Sequence, residues 1–183
     1  MRSLPVSGSH SLFSSQNFPA LGLTDGISAR RVYKPCAATD TSCVSGTWEY
    51  STDMTTPRWY PTVVTLSDGK AIIFSGVKQN LDLGSALNDP TGAYRAATNN
   101  PSYEYFPSKS TGSWPQSLAI LDDAFPYNTY PISFLLPSGK VMLFVSNRTA
   151  LIDPETDVVE ETIPVVTVPE KHPWIVCCCL NLI

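Results

Sequence analysis

The chain has 183 residues and a formal charge of −4 with no basic cluster. That charge argues against nucleic acid or an anionic membrane surface as its main partner. Sixteen prolines and ten glycines lie mostly between short apolar runs, a pattern of many strands and turns rather than helices. No run reaches the ~20 apolar residues of a bilayer-crossing helix, so no membrane span is expected.

Residues 1–23 form a poorly defined, Ser-rich N-terminal segment with no apolar core of a secretory signal. Residues 27–34 read as a strand stopping at Pro35, followed by a loop with Cys36 and Cys43 and a short strand over 46–50. The stretch from Arg58 to Gly76 reads as a β-hairpin. In it Thr62, Val64 and Leu66 alternate with Val63 and Thr65, and Asp68-Gly69 supplies the positive φ of a tight turn. Residues 71–74 are apolar at every position, which predicts a strand covered on both faces.

Residues 78–99 are a polar loop longer than a normal turn, expected to be functional or decorative. Residues 102–106 form a strand stopping at Pro107, and 117–121 a weaker one. The hairpin then recurs. Gly69 follows Tyr60 by nine positions, as Gly139 follows Tyr130, and the copies stand 70 positions apart. Residues 141–145 are again apolar throughout, 149–153 stop at Pro154, and 158–163 complete the unit. Proline removes a ladder donor and suits the end of a strand near a sheet edge.

Two full four-stranded units are expected over 58–121 and 130–163, after a first unit keeping two strands within 27–50. This predicts an all-β chain, a partial β-propeller of two to three four-stranded antiparallel blades. The alternative is a two-sheet sandwich, which leaves one face of each sheet wet and suits residues 71–74 and 141–145 poorly. Residues 165–183 form an atypical tail ending near Cys177, Cys178 and Cys179, where the pattern of units stops. The triplet matches no zinc spacing, and the tail is expected to be translated non-coding sequence rather than a metal or acylation tract.

Four ordered stretches resemble the glyoxal oxidase family of copper radical oxidases, relatives of galactose oxidase. They are Asp25-Gly26 leading to Arg31-Val32-Tyr33-Lys34-Pro35-Cys36; Arg58-Trp59-Tyr60-Pro61 with its Asp68-Gly69 turn; Asn100-Pro101-Ser102-Tyr103-Glu104-Tyr105-Phe106-Pro107-Ser108-Lys109; and Tyr130-Pro131 with Leu136-Pro137-Ser138-Gly139-Lys140. The likeness runs from about residue 24 to 164, and implies that this domain is part of a kelch-type propeller. It also implies a copper ion held by two tyrosines and two histidines, one tyrosine being the radical and cross-linked to a cysteine. The implied reaction takes a small aldehyde and O₂ to a carboxylic acid and H₂O₂, outside the cell.

By position Tyr60 resembles that radical and copper-ligand tyrosine, while Cys36 and Cys43 resemble the family's loop disulfide. The remaining ligands have no counterpart. Only Ser7-Gly8-Ser9 stands where the partner cysteine belongs, and His10 and His172 match neither histidine. The expectation is therefore a fragment of such an oxidase, truncated at both ends, inactive and without copper by itself, and self-associating through open blade faces. A non-catalytic kelch-propeller binding or structural module is the alternative.

On residue chemistry alone Tyr60 reads as a core or rim tyrosine, because most tyrosines pack or cap. His10 and His172 read as solvated, and Asp122-Asp123 and Glu160-Glu161 as wet surface. The Ser-Gly dipeptides lack the setting of a hydrolase nucleophile. Asn147-Arg148-Thr149 is a weak glycosylation sequon at a strand end.

Overall fold

Eleven strands and three short helices are described, over residues 4–7 and 26–163 of a computed structural model. The strands form three antiparallel sheets. The first contains β1 (Leu4–Ser7), β2 (Arg30–Lys34) and β3 (Thr47–Tyr50). The second contains β4 (Thr62–Thr65), β5 (Ala71–Phe74), β6 (Ser102–Phe106) and β7 (Gln116–Ser117). The third contains β8 (Ile132–Leu135), β9 (Val141–Val145), β10 (Arg148–Ile152) and β11 (Val159–Ile163). Spatial order equals chain order in each, so every sheet is a meander. The chain is all-β, with the serial sheets of a partial propeller.

Three local readings need correction. The first sheet has three strands rather than two, because Leu4–Ser7 pairs with β2 in the register Leu4 to Tyr33 through Ser7 to Arg30. The 78–99 loop holds two helices, α1 (Leu83–Leu87) and α2 (Ala93–Thr98), the first opened by an Asp82 carboxylate that accepts from the Ser85 N–H. The outer strand expected over 117–121 is only two residues long. From Ala119 the chain turns into α3 (Ala119–Asp123), whose Ile120 and Leu121 are buried in the core between the second and third sheets.

Burial separates the middle sheet from its neighbour. Every residue of β5 is at most 1% exposed. Val64, Ile72, Phe74, Tyr103 and Tyr105 pack toward Val141, Leu143, Val145, Ala150 and Ile152 of the third sheet. The opposite face of the middle sheet is turned to the first: the Arg30 guanidinium lies 4.7 Å from the Phe106 ring centre. In β9 burial alternates instead. Val141, Leu143 and Val145 face the core, while Met142 and Phe144 are only half buried. The uniformly apolar run 141–145 therefore exposes only its alternate residues, because no described sheet lies beyond it.

A polar lock joins the second and third sheets at their rim. The Asp157 carboxylate accepts from the Tyr105 hydroxyl at 2.8 Å and from Lys109 Nζ at 2.8 Å. The Lys109 ammonium sits 4.1 Å from the Tyr105 ring centre, and Trp114 meets that ring edge-on. Burial, then the Asp157 charge and hydrogen bond, push the Tyr103 phenol up to about 12. Tyr105 is pushed up by the same causes, burial first.

Candidate functional site

Tyr60 stands at the corner where Arg58-Trp59-Tyr60-Pro61 enters β4. A residue before proline is disfavoured in the right-handed helical region. Here Tyr60 takes φ +60°, and Tyr130, also before proline, takes +49°. Such a conformation costs on the order of 1–3 kcal/mol and persists only where the surroundings over-determine it. The anchors are visible. Trp59 N–H donates to Val77 O at 2.7 Å, and Val77 N–H returns a bond to Trp59 O at 2.8 Å. Gly76 passes so closely that a Cβ there would lie 2.9 Å from Trp59 O and 3.1 Å from Arg58 Cα, at φ +85°.

Arg58 is the deepest anchor. Its Nε donates to Glu104 Oε1 at 2.9 Å, one terminal nitrogen to the carbonyls of Ser75 and Ser102, and the other to Ser102 Oγ. The second Glu104 oxygen accepts from the N–H and the hydroxyl of Thr55, both at 3.0 Å. Burial pushes the Arg58 guanidinium pKa down, and the Glu104 charge opposes that. The pair ties the chain before Tyr60 to the third strand of the same sheet. Both residues stand in the stretches that carry the family resemblance, but the sequence assigns neither a role. The available signal was a single glutamate within Ser-Tyr-Glu-Tyr-Phe, a strand otherwise suited to a core.

The repeat brings Tyr60 and Tyr130 together. Their ring centres lie 4.5 Å apart at an interplanar angle of 24°, and Trp59 covers the Tyr60 ring at 3.8 Å and 19°. Tyr130 N–H donates to Tyr60 O at 2.9 Å, and Thr62 Oγ1 donates to Pro131 O at 2.6 Å. The corners of two successive sheets are thus bonded side by side. Behind them Ser75 Oγ donates to Asn128 O, and Asn128 Nδ2 donates to Asn99 Oδ1 and Leu121 O. This fastens the end of the 78–99 loop to the same corner. Beside α2 that loop borders an open cleft of about 300 Å³ lined by Lys78, Arg95, Asn99 and Asp122.

The other site residues are separate. Cys36 and Cys43 are joined as a disulfide with Cα atoms 5.6 Å apart, in the loop between β2 and β3. Asp40 caps that loop, and hydrogen bonds from Ser42 and Cys43 hold its carboxyl below the ordinary range. Asn147 lies half buried in the two-residue turn between β9 and β10. The carboxylates read as wet surface are ion-paired where described: Asp122 with Arg95, Asp123 with Arg148, Glu160 with Lys140. His10, His172 and Cys177, Cys178 and Cys179 fall outside the described residues, as do Gly8, Ser9 and Asp25.

Copper needs several nitrogen and oxygen donors converging on one point. The described residues contain no histidine, and no group of three or more His, Cys, Asp or Glu among them converges on one point. Tyr60 offers one phenol, its ring stacked between two others. The described donors do not fit a copper ion.

No family model matches the chain. It is similar to the aldehyde oxidase GLOX of Vitis pseudoreticulata, 30% identical over 135 residues, which is 72% of this chain and 21% of that protein. It is also similar to the aldehyde oxidase GLOX1 of Arabidopsis thaliana, 29% identical over 124 residues, 67% of this chain and 17% of that protein. The chain spans about a fifth of the length of these relatives.

Proposed function

This chain is glyoxal oxidase-like, and from that premise we propose that residues 24–164 are a segment of the kelch-type propeller of a secreted copper radical oxidase. In the whole protein the reaction takes a small aldehyde, O₂ and water to a carboxylic acid and H₂O₂. Tyr60 is the radical and copper-ligand tyrosine. The carrying observation is the Tyr60 corner: a strained residue before proline, anchored by Arg58 and Glu104, in a chain similar to aldehyde oxidases. The disulfide of the Cys36 loop suits an oxidising compartment.

This segment acts as scaffold for the corner and does not turn over substrate by itself. A phenol must lose its proton before it can bind Cu(II), and a single donor without converging partners binds the ion weakly. The test loads the chain with Cu(II), offers methylglyoxal and follows H₂O₂. No turnover is expected. Turnover that disappears in Tyr60→Phe would overturn the inactivity and place the missing donors outside the described residues or on a second copy. If a chain lengthened to the span of the relatives makes H₂O₂ that Tyr60→Phe leaves undiminished, the role of Tyr60 is wrong.

A non-catalytic binding or structural module is the second reading. It is favoured by the outer face of the third sheet, where Phe134, half-buried Met142, Phe144 and Leu151 form an apolar surface. A second copy of the chain is the occupant proposed for that face.

A further inference from the structure

The long connection between β5 and β6 carries a second concave feature, apart from the aromatic corner. Its cleft of about 300 Å³ is lined from both ends of the connection, by Lys78 at the start and by Arg95, Asn99 and Pro101 at the end, together with Asp122 of α3. Lys78 N–H donates to Thr98 O at 2.8 Å, which bonds the two ends side by side. A volume of this order lies at the small end of the range for small-molecule sites.

The lining has unused hydrogen-bond donors. Arg95 Nη2 donates to the Asp122 carbonyl at 2.6 Å and pairs with Asp122 Oδ1 at 2.8 Å, while its Nε and Nη1 bond no described group. Lys78 is exposed, and its Nζ reaches only Ala96 O, at 3.4 Å. Asp122 Oδ1 also accepts from Asn99 Nδ2 at 2.7 Å, and the Phe125 ring centre lies 5.7 Å from the Arg95 guanidinium carbon. The guanidinium is therefore held in place without a ligand. Among the lining charges Lys78 and Arg95 are positive and Asp122 is negative, leaving one positive charge in excess. Asp89, the neighbouring carboxylate, does not line the cleft and accepts from the Arg95 backbone N–H at 2.8 Å.

We propose that this cleft binds a small carboxylate, with one oxygen on an unused Arg95 N–H and the other on the Lys78 ammonium. Hydrogen bonds between an ionised donor and an ionised acceptor are about twice as strong as neutral ones, and both donors are charged. One excess positive charge suits a monoanion. A small carboxylic acid is also what the oxidation proposed above releases. The cleft is argued from its own residues, so it stands or falls apart from that reading.

The experiment titrates the full, isotope-labelled chain with acetate and follows backbone amide shifts by nuclear magnetic resonance. Acetamide serves as the uncharged isostere and inorganic phosphate as a more highly charged oxyanion. Acetate at millimolar concentrations is expected to give saturable shifts centred on residues 78 and 92–99, weakened by added salt, and acetamide none. Lys78→Met should weaken binding several-fold. Asp122→Asn removes the one negative charge of the lining and should tighten binding several-fold, a gain that a misfolded variant would not give. No saturable response to acetate, an equal response to acetamide, or unchanged affinity in both variants overturns the proposal. Phosphate binding more tightly than acetate overturns the assignment to a carboxylate. No turnover is needed for any of these outcomes, and H₂O₂ production tests the oxidase reading separately.

Discussion

The Arg58 guanidinium and the Glu104 carboxylate meet at 2.9 Å with side chains at most 1% exposed. The side-chain hydrogen bonds of the pair lie within the middle sheet and the segment that leads into it, while the Arg58 N–H donates to Ile27 O at 3.0 Å. The pair is the joint between the corner at Tyr60 and β6.

Removing one partner of a buried ion pair leaves an uncompensated charge, at a cost of about 3–5 kcal/mol. Arg58→Met is expected to lower unfolding stability by that much in a urea titration, and Glu104→Gln by less. Replacing both by apolar residues should recover part of the loss. Single variants as stable as wild type would show that the pair does not hold the corner.

The Tyr103 and Tyr105 phenols are raised in the fold, mainly by burial and then by Asp157. A raised folded pKa contributes stability that is complete below the unfolded value near 10 and lost as pH rises through the folded value, about 12 for Tyr103. The thermal midpoint should therefore fall from about pH 10 upward, alongside late phenolate absorbance. Asp157→Asn should move that late ionisation toward lower pH. An identical titration in the variant would remove Asp157 as a cause.

Closing the short loop between Cys36 and Cys43 contributes at most about 2.5 kcal/mol by chain entropy. Cys36→Ser is expected to lose no more than this. Peptide mapping without reductant, on protein made in an oxidising compartment, should recover the two cysteines in one linked species. Two free thiols would contradict the pairing.

Exposed apolar sheet faces drive association. Phe134 is 56% exposed on the outer face of the third sheet. Sedimentation velocity should show concentration-dependent self-association that Phe134→Lys weakens. A monomer at every concentration would exclude a second copy as the occupant.

Asn147 is half buried in a tight turn beside Ser146 at φ +56° and opens the sequon Asn147-Arg148-Thr149. Expression through a secretory pathway should yield a species that shifts on enzymatic deglycosylation. Asn147→Gln should abolish the shift, and wild-type protein that never shifts would exclude the site.

Much of the architecture was legible in the chain itself. Alternation in residues 62–66, Asp68-Gly69 and its counterpart Ser138-Gly139, and the spacing of Tyr60 and Tyr130 specify hairpins and their repetition, because turn chemistry and a period of two are local properties. Uniformly apolar residues 71–74 likewise announced cover on both faces, and β5 has it. Residues 141–145 carry the same pattern, yet whether both faces are covered depends on what packs beyond them, which no local run encodes. The same holds for β1, which pairs with a strand more than twenty residues away. Only the tertiary structure set Arg58 against Glu104, stacked Trp59, Tyr60 and Tyr130, and placed Asp157 under Tyr105. Those contacts join residues 46, 70 and 52 positions apart, and burial and charge pairing at such separations are decided by how sheets stack, not by the residues between.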